Sequence, residues 1–322
     1  MIEMLNSIFT RLGFQVKKTT ALENEQRYLK SVINCLEDLY AYRLQNDGTK
    51  LNNEISGIIF SKNRAMQLHA LLQSYFHYTI NPAPLKVLFT TDSPEHERAY
   101  EILQQEFRSA PVEFICETDF RSQLQTMVKE SKSGRIFFMT DDAIFVERYD
   151  LSTVRHFNPL AEIFSLRLGR DVHFSFTHNK EQILPEFNKQ VINDEYFNSW
   201  IWNTLQGSPD WSYPLSVDAT IFSRDEVDIM LKHLDFKNPN SLEGSLQLLS
   251  KAFLTRKGIC FEKAKYVNVP CNIVQDEFSN IYTGTFSVLE LLKLFMDGKR
   301  IDWKLYTGMN AKDVQHIRYD FI

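Results

Sequence analysis

Residues 54–142 decide the fold, because four short apolar runs alternate there with three amphipathic stretches. The runs are ISGIIF (55–60), LKVLFT (85–90), VEFIC (112–116) and RIFFMT (135–140), each the length of a buried β-strand. The stretches between them, at 67–76, 94–107 and 120–132, carry apolar residues at helical spacing. This alternation predicts successive βαβ units, and therefore an α/β fold with a mixed, mostly parallel sheet flanked by helices.

Ligands of such a sheet bind beyond the carboxyl ends of its strands. The segments at these positions are 61–64 (SKNR), 91–92 (TD), 117–121 (ETDFR) and 141–142 (DD). The adjacent carboxylates of Asp141 and Asp142 would repel each other unless a cation or strong donors lay beside them. Mg²⁺ or Mn²⁺ suits carboxylate oxygens and could neutralise a bound diphosphate. The alternative is an exposed Asp-Asp turn at the end of a strand.

Composition excludes other ways of holding phosphate. The chain has only 11 glycines, and none is spaced as in a Rossmann fingerprint or a P-loop. Its 36 Lys+Arg against 41 Asp+Glu give a net charge of −5, which argues against a nucleic-acid partner.

The Ser61-Lys62-Asn63-Arg64 segment stands before a leucine-rich helix, and an apolar strand ending in Asp-Asp follows further along the chain. This pattern resembles GT-A fold glycosyltransferases, most closely the family-2-like group that builds bacterial surface polysaccharides, over roughly residues 54–275. The resemblance implies transfer of a sugar from a nucleotide diphosphate sugar to a saccharide or lipid-linked acceptor, with inversion. It also implies that the tips of the strands hold the donor, and the candidates are Ser61, Asn63, Arg64, Asp92, Arg121 and Asp141.

The resemblance further implies a divalent ion, Mn²⁺ or Mg²⁺, bound at a D-x-D motif. The second acid of that motif aligns with Asp142, but Thr140 stands at its first position and Asp141 in the middle. Ligation by one or two carboxylates leaves room for His316, since these enzymes often supply a His from the C-terminal region. Imidazole would favour Mn²⁺, although His316 could equally be a surface residue.

An inverting transfer needs a base to accept the proton of the acceptor hydroxyl. Glu243 follows a Pro/Asn turn at the start of a predicted helix, where the resembling enzymes carry their base, but Gly244 replaces the second acid of that motif. An ordinary acid favoured by the helix dipole is the alternative. Asp218, inside an apolar run, is the second candidate, either as base or as a contact of the donor sugar.

Four aromatic residues interleaved with polar ones suggest a platform for the acceptor sugar, with aromatic core packing as the alternative. They are Trp200, Trp202, Trp211 and Tyr213. Two other functions stay open. A sugar-phosphate nucleotidyltransferase normally has a glycine-rich loop after its first strand, which is absent here, and a non-catalytic carbohydrate-binding protein would explain the incomplete motifs.

We predict three regions: a helical extension (1–50), a GT-A domain (51–275), and a C-terminal helix and tail that close the active site (276–322). The apolar face within 23–45 could pack on its own domain or form a homodimer. The amphipathic residues 2–12 could instead contact a membrane surface. Four cysteines without a C-x-x-C pair, and a start unlike a signal peptide, predict a cytoplasmic protein, with the inner face of the membrane as an alternative location.

Overall fold

A computed structural model describes residues 2–46, 52–175, 177–202, 208–272, 286–310, 312 and 319–322. The α-helices are α1 (Ile2–Gln45), α2 (Ala65–Tyr78), α3 (Pro94–Glu106), α4 (Phe120–Glu130), α5 (Arg224–His233), α6 (Pro239–Gln247) and α7 (Val288–Met296). The strands are β1 (Ile55–Lys62), β2 (Thr79–Ile80), β3 (Leu85–Thr90), β4 (Val112–Cys116), β5 (Arg135–Thr140), β6 (Ala143–Phe145), β7 (Tyr149–Asp150), β8 (Glu162–Ser165), β9 (Phe174–Ser175), β10 (Lys180–Glu181), β11 (Asn188–Ile192), β12 (Glu195–Ile201), β13 (Thr220–Ser223), β14 (Lys257–Phe261) and β15 (Tyr266–Asn268).

Nine of the described strands form one sheet in the order β11-β12-β14-β8-β13-β5-β1-β3-β4. The four strands predicted from the sequence are neighbours in it: β5, β1, β3 and β4 pair in parallel. Beyond β5, the strands β13 and β12 run antiparallel to their neighbours, so seven of the nine strands point the same way. The predicted α/β class and mixed, mostly parallel sheet are therefore confirmed, as is the helix at the N-terminal side.

The sheet separates two apolar cores, because side chains alternate between the faces of a strand. From β1, Ile59 packs with the residues of α2 and α3, whereas Ile58 and Phe60 face the opposite core with α4 and α5. Gly57 in β1 packs tightly against side chains of the two adjacent strands, since a Cβ atom there would approach Leu85 and Phe137 to 2.6 Å. The sheet is thus covered on both faces, which leaves the ends of its strands as the accessible edge.

The helix α1 packs on α5 through the second half of its length. Cys35 and Leu39 are buried in this contact. At its end, Arg43 Nε lies 2.7 Å from Glu226 Oε1, and the same carboxylate also receives Arg256. The predicted packing of this helix on its own domain is therefore observed, and a buried ion-pair network fixes it.

The predicted aromatic platform for an acceptor sugar is wrong for its three tryptophans. Trp200, Trp202 and Trp211 are at most 2% exposed and contact one another, with ring centroids 4.9 Å apart in two of the pairs. Trp211 Nε1 donates a hydrogen bond to the carbonyl of Val172 at 2.8 Å. These side chains stabilise the core beneath the sheet, as aromatic residues spaced along a buried strand commonly do.

None of the described helices is both long and apolar enough to cross a bilayer.

Candidate active site

The carboxyl ends of β1 and β5 lie side by side, because the two strands pair in parallel with Phe60 beside Thr140. The residue after β5 is Asp141, which is only 3% exposed. Its Oδ2 accepts hydrogen bonds from Ser61 Oγ at 2.8 Å and from the Lys62 N–H at 3.2 Å. Ser61 Oγ also lies 2.5 Å from the hydroxyl of Tyr100. Asp141 therefore joins the tips of the two central strands.

Arg64 bridges the acid pair. The backbone of Asn63 has a positive φ of 56°, and this turn precedes the buried Arg64 at the start of α2. Arg64 Nη1 lies 3.0 Å from Asp141 Oδ1 and 3.0 Å from Asp142 Oδ2. Its Nε donates to Asn272 Oδ1 at 3.0 Å, and its Nη2 donates to the Asn272 carbonyl. The guanidinium thus spans both acids and the segment that follows β15.

Burial would lower the pKa of Arg64, but the charges of Asp141 and Asp142 outweigh it and raise the pKa above its ordinary value. Burial raises the pKa of Asp141, and Asp142 adds to this effect while Arg64 opposes it. The effect of burial on Asp141 therefore outweighs the stabilisation that Arg64 gives to its charged form.

Asn63 and Asp92 join the exposed tips of β1 and β3 through two reciprocal hydrogen bonds. Asn63 Nδ2 donates to Asp92 Oδ2 at 2.8 Å, and the Asp92 N–H donates to Asn63 Oδ1 at 3.0 Å. Lys62 Nζ lies 3.4 Å from Asp92 Oδ2. The predicted donor residues of these two strands therefore form one continuous rim beside the acid pair.

Asp218 lies across the end of β5, in the turn before β13. Its Oδ1 accepts hydrogen bonds from Thr140 Oγ1 at 3.0 Å and from the Tyr266 hydroxyl at 3.4 Å. Burial raises the pKa of Asp218; Arg167 opposes the shift and the charge of Asp142 adds to it. The charge of Asp142 therefore affects the protonation of Asp218.

Glu243 reaches this region from α6. A capping box between Asn238 and Ser241 begins that helix and fixes its direction. Glu243 Oε1 accepts the Val217 N–H at 3.0 Å, next to Asp218. Burial, together with the charge of Asp218, raises the pKa of Glu243 to about 7. A carboxyl group with a pKa near 7 can accept a proton at neutral pH, which is the property of a general base.

Arg167 is the second cation of the region. Its Nη1 lies 2.8 Å from Asp210 Oδ1, and its charge lowers the pKa values of both Asp218 and Glu243. The sequence places Arg167 near a strand tip, where it could contact phosphate, and the structure pairs it with Asp210. The residues of the site that the sequence does not indicate are Asn272 and Tyr266, which follow or belong to β15 and carry no recognisable motif.

One predicted site residue, Arg121, lies away from the acids. Arg121 Nη1 donates to Asp235 Oδ1 at 2.8 Å and its Nη2 donates to the Leu234 carbonyl, so it links α4 to the end of α5 rather than to the acids. His316 lies outside the described residues. Within the part of the chain that is described, no group of three His, Cys, Asp or Glu side chains is arranged to hold a metal ion.

Comparison with known proteins gives one curated relative, the bifunctional glycosyltransferase pgtA of Dictyostelium discoideum. It is 28% identical over 305 residues, which cover 84% of this chain and 39% of the relative. The chain therefore spans about two fifths of the relative's length. No protein-family model matches. The resemblance to glycosyltransferases, predicted from the sequence, is confirmed by this relative.

Solved structures with a similar fold include S. aureus TarS residues 1–349, at a TM-score of 0.41 and 12% identity over 66% of this chain and 59% of that chain. Another is the mannosyltransferase PcManGT from Pyrobaculum calidifontis, in complex with GDP-Man and Mn²⁺. Its TM-score is 0.30 at 14% identity, over 46% of this chain and 48% of that chain.

Proposed function

We propose that this protein is a glycosyltransferase that moves a sugar from a nucleotide diphosphate sugar to a hydroxyl of a saccharide or lipid-linked acceptor. One observation carries the proposal: three carboxylates lie near the carboxyl end of β5. Asp142 follows that strand closely, and Asp218 accepts a hydrogen bond from Thr140, its last residue. Glu243 accepts the N–H of Val217 beside Asp218, and burial raises the pKa of Glu243 to about 7. Ligand sites of open α/β sheets lie at this edge. The similarity to pgtA supports the same class of reaction.

The rim formed by Asn63 and Asp92 would receive the nucleoside of the donor, because it is exposed and adjoins the acid pair. Asp142 would face the diphosphate. Both oxygens of Asp141 already accept hydrogen bonds, from Ser61, Lys62 and Arg64. We therefore assign Asp141 the role of positioning Arg64, in place of the metal contact expected from the sequence.

The charges of the site fit a divalent cation. Burial raises the pKa values of Asp141, Asp218 and Glu243, and the charges of Arg64 and Arg167 oppose the rise only in part. A bound cation would favour the charged carboxylates further. Carboxylate oxygens suit Mn²⁺ or Mg²⁺. Asp142 would hold the ion, which when bound supplies charge that stabilises the departing diphosphate.

Glu243 would act as the base of an inverting transfer. Its carboxylate takes the proton of the acceptor hydroxyl as the hydroxyl oxygen bonds to the anomeric carbon, and the bond from that carbon to the phosphate oxygen breaks. The nucleoside diphosphate leaves with the electron pair. Asp218 would contact the donor sugar, with Thr140 and Tyr266 fixing its carboxylate.

Isothermal titration of a panel of nucleoside diphosphates tests the role of Asp142. We expect the preferred nucleotide to bind about tenfold tighter, or more, with Mn²⁺ than with EDTA, a difference of about 1.4 kcal/mol. Asp142→Asn should lose this difference. Asp235→Asn is the matched control, since Asp235 is highly exposed and pairs with Arg121 away from the site. Equal affinity with and without Mn²⁺ in the unmodified protein would contradict the metal-bridged arrangement.

A further inference from the structure

A pocket of about 210 Å³ adjoins the acid pair, between α2, β6 and Ile301. The polar side chains that line it are Gln67, Asp141, Asp142 and Tyr319, and its other lining residues are apolar. The pocket therefore extends the candidate site from the end of β5 to the first turn of α2.

Gln67 has a buried acceptor without a partner. It lies in the first turn of α2 and is 4% exposed. Its Nε2 donates to Asn272 Oδ1 at 3.1 Å, and the same Oδ1 accepts a hydrogen bond from Arg64 Nε at 3.0 Å. A guanidinium group only donates, so this contact identifies the atom of Asn272 as oxygen and the atom of Gln67 beside it as nitrogen. The Oε1 of Gln67 has no hydrogen-bond partner among the described residues.

The amide of Gln67 turns this oxygen toward the pocket. Its Nε2 and Oε1 lie on opposite sides of the amide, and Nε2 points to Asn272, which does not line the pocket. Buried polar atoms nearly always have a partner. An open acceptor beside a pocket therefore indicates a ligand.

The polar atoms that remain available in the pocket are oxygen acceptors. Asp142 Oδ2 accepts a hydrogen bond from Arg64 Nη1 at 3.0 Å, and within the described part of the chain no donor contacts its Oδ1. Both oxygens of Asp141 are already hydrogen-bonded, and the hydroxyl of Tyr319 donates to a backbone carbonyl after β15 at 3.5 Å. Asp142 Oδ1 and Gln67 Oε1 together suit a hard cation rather than an anion.

We propose that Gln67 supplies a neutral oxygen ligand to the divalent cation that Asp142 holds. The inference rests on the proposed function, because it concerns the same cation, and it adds a ligand from α2 that lies outside the D-x-D pattern. Thr140 occupies the first position of that pattern and donates its hydroxyl proton to Asp218 Oδ1 at 3.0 Å. The amide oxygen of Gln67 thus takes the place of the acid that the pattern lacks.

The apolar lining explains why a protein oxygen is needed on this side. Ala70, Ile144 and Val269 line the pocket, and their side chains offer no hydrogen bond to a water molecule. A divalent ion that faces them loses water from its coordination shell, and a protein oxygen must replace it. Among the described lining residues, Gln67 offers a buried oxygen without a partner.

Electron paramagnetic resonance of Mn²⁺, which measures the free ion, tests this ligand on the full chain without any nucleotide. We expect Gln67→Leu to raise the dissociation constant of Mn²⁺ about tenfold, because a protein contact of the ion is lost. Gln67→Glu should lower the constant, since a carboxylate binds a hard cation more strongly than a neutral oxygen does. Gln125→Leu is the matched control and should leave it unchanged, because Gln125 Nε2 donates to the Leu231 carbonyl at 2.7 Å, between α4 and α5.

The denaturation midpoint shows whether each variant is folded and gives a second readout. Gln67→Leu removes the hydrogen bond to Asn272 together with an unpaired buried acceptor, so the midpoint of the metal-free chain should change little. Mn²⁺ should raise the midpoint of the unmodified chain more than that of Gln67→Leu, since an ion stabilises the folded state only when it is bound.

Three results would overturn the proposal. They are the absence of Mn²⁺ binding by the unmodified chain, an unchanged dissociation constant in Gln67→Leu, and equal weakening in Gln67→Leu and Gln67→Glu, which would indicate a structural role. A different result separates this ligand from the proposed function. Mn²⁺ binding that depends on Gln67, in a chain that releases no nucleoside diphosphate from any donor, would reject the proposed function and support the cation ligand.

Discussion

Replacement of Glu243 by Gln should lower the rate of sugar transfer about a thousandfold, the usual range for loss of a general base. Gln can still accept the Val217 N–H through its amide oxygen, so the local structure is retained. It cannot accept a proton at neutral pH. The measurement is the initial rate of nucleoside diphosphate release with acceptor present, together with titration of the donor nucleotide, whose affinity should stay within about twofold.

Glu290→Gln is the matched control, because Glu290 also lies in the first turn of a helix, α7, where it completes a capping box. We expect this variant to transfer sugar at the unmodified rate. Turnover retained in Glu243→Gln and lost in Asp218→Asn would move the base role to Asp218. Such a result would contradict the assignment of Glu243 while leaving the class of reaction intact.

The pH dependence of the sugar-transfer rate should reflect the protonation of Glu243. Burial raises the pKa of Glu243 from 4.5 to about 7, so its active, charged form is lost as the pH falls through about 7. The folded state binds this proton more tightly than the unfolded state, and Glu243 therefore lowers stability as the pH rises from about 4.5 to 7. Glu243→Gln should remove both effects. A rate profile unchanged in shape in that variant would exclude Glu243 as the titrating group.

Replacement of Arg64 by Met should lower the free energy of unfolding by about 3 kcal/mol, the cost of leaving a buried carboxylate without its partner. Asp141 is 3% exposed and Asp142 accepts a hydrogen bond from the same nitrogen atom. Adding Asp141→Asn to the Arg64→Met variant removes the unpaired charge and should recover part of the loss. Chemical denaturation at pH 7 measures all three free energies, and donor binding should be lost in both variants.

Arg121→Met is the matched control for Arg64, since Arg121 forms a single ion pair with a highly exposed partner. Surface pairs of this kind contribute about 0.5 kcal/mol. Equal losses in Arg64→Met and Arg121→Met would contradict the central position of Arg64. The same conclusion would follow if Asp141→Asn recovered nothing.

The fold could be predicted from the sequence because its strands are short, apolar and separated by helices of regular spacing. This pattern fixed the four parallel strands, and with them the edge at which Ser61, Asn63 and Asp141 would meet. Parallel strands end on the same side of a sheet whatever the details of packing. The ends of β1 and β5 accordingly lie at the same edge, where the structure places the two strands side by side.

The contacts within the site could not be predicted in the same way. Whether Arg64 reaches a nucleotide or bridges Asp141 and Asp142 depends on the turn at Asn63 and on the distance between two strand tips. Asn272 accepts a hydrogen bond from Arg64 although the two residues are 208 positions apart in the chain, and no sequence motif indicates this contact. The spacing of tryptophans in the sequence likewise does not distinguish a tryptophan buried in a core from one that stacks on a sugar, since polar residues alternate with tryptophans in both cases.

The central claim is that the chain cleaves a nucleotide sugar at the edge of β5. Its most direct test is the release of nucleoside diphosphate from a panel of UDP, GDP, ADP, CDP and dTDP sugars in the presence of Mn²⁺, with water as a slow acceptor. We predict release from at least one donor by the unmodified protein, and about a hundredfold less from Asp142→Asn and Glu243→Gln. Release from no donor, or release from both variants at the rate of the unmodified protein, would contradict the account.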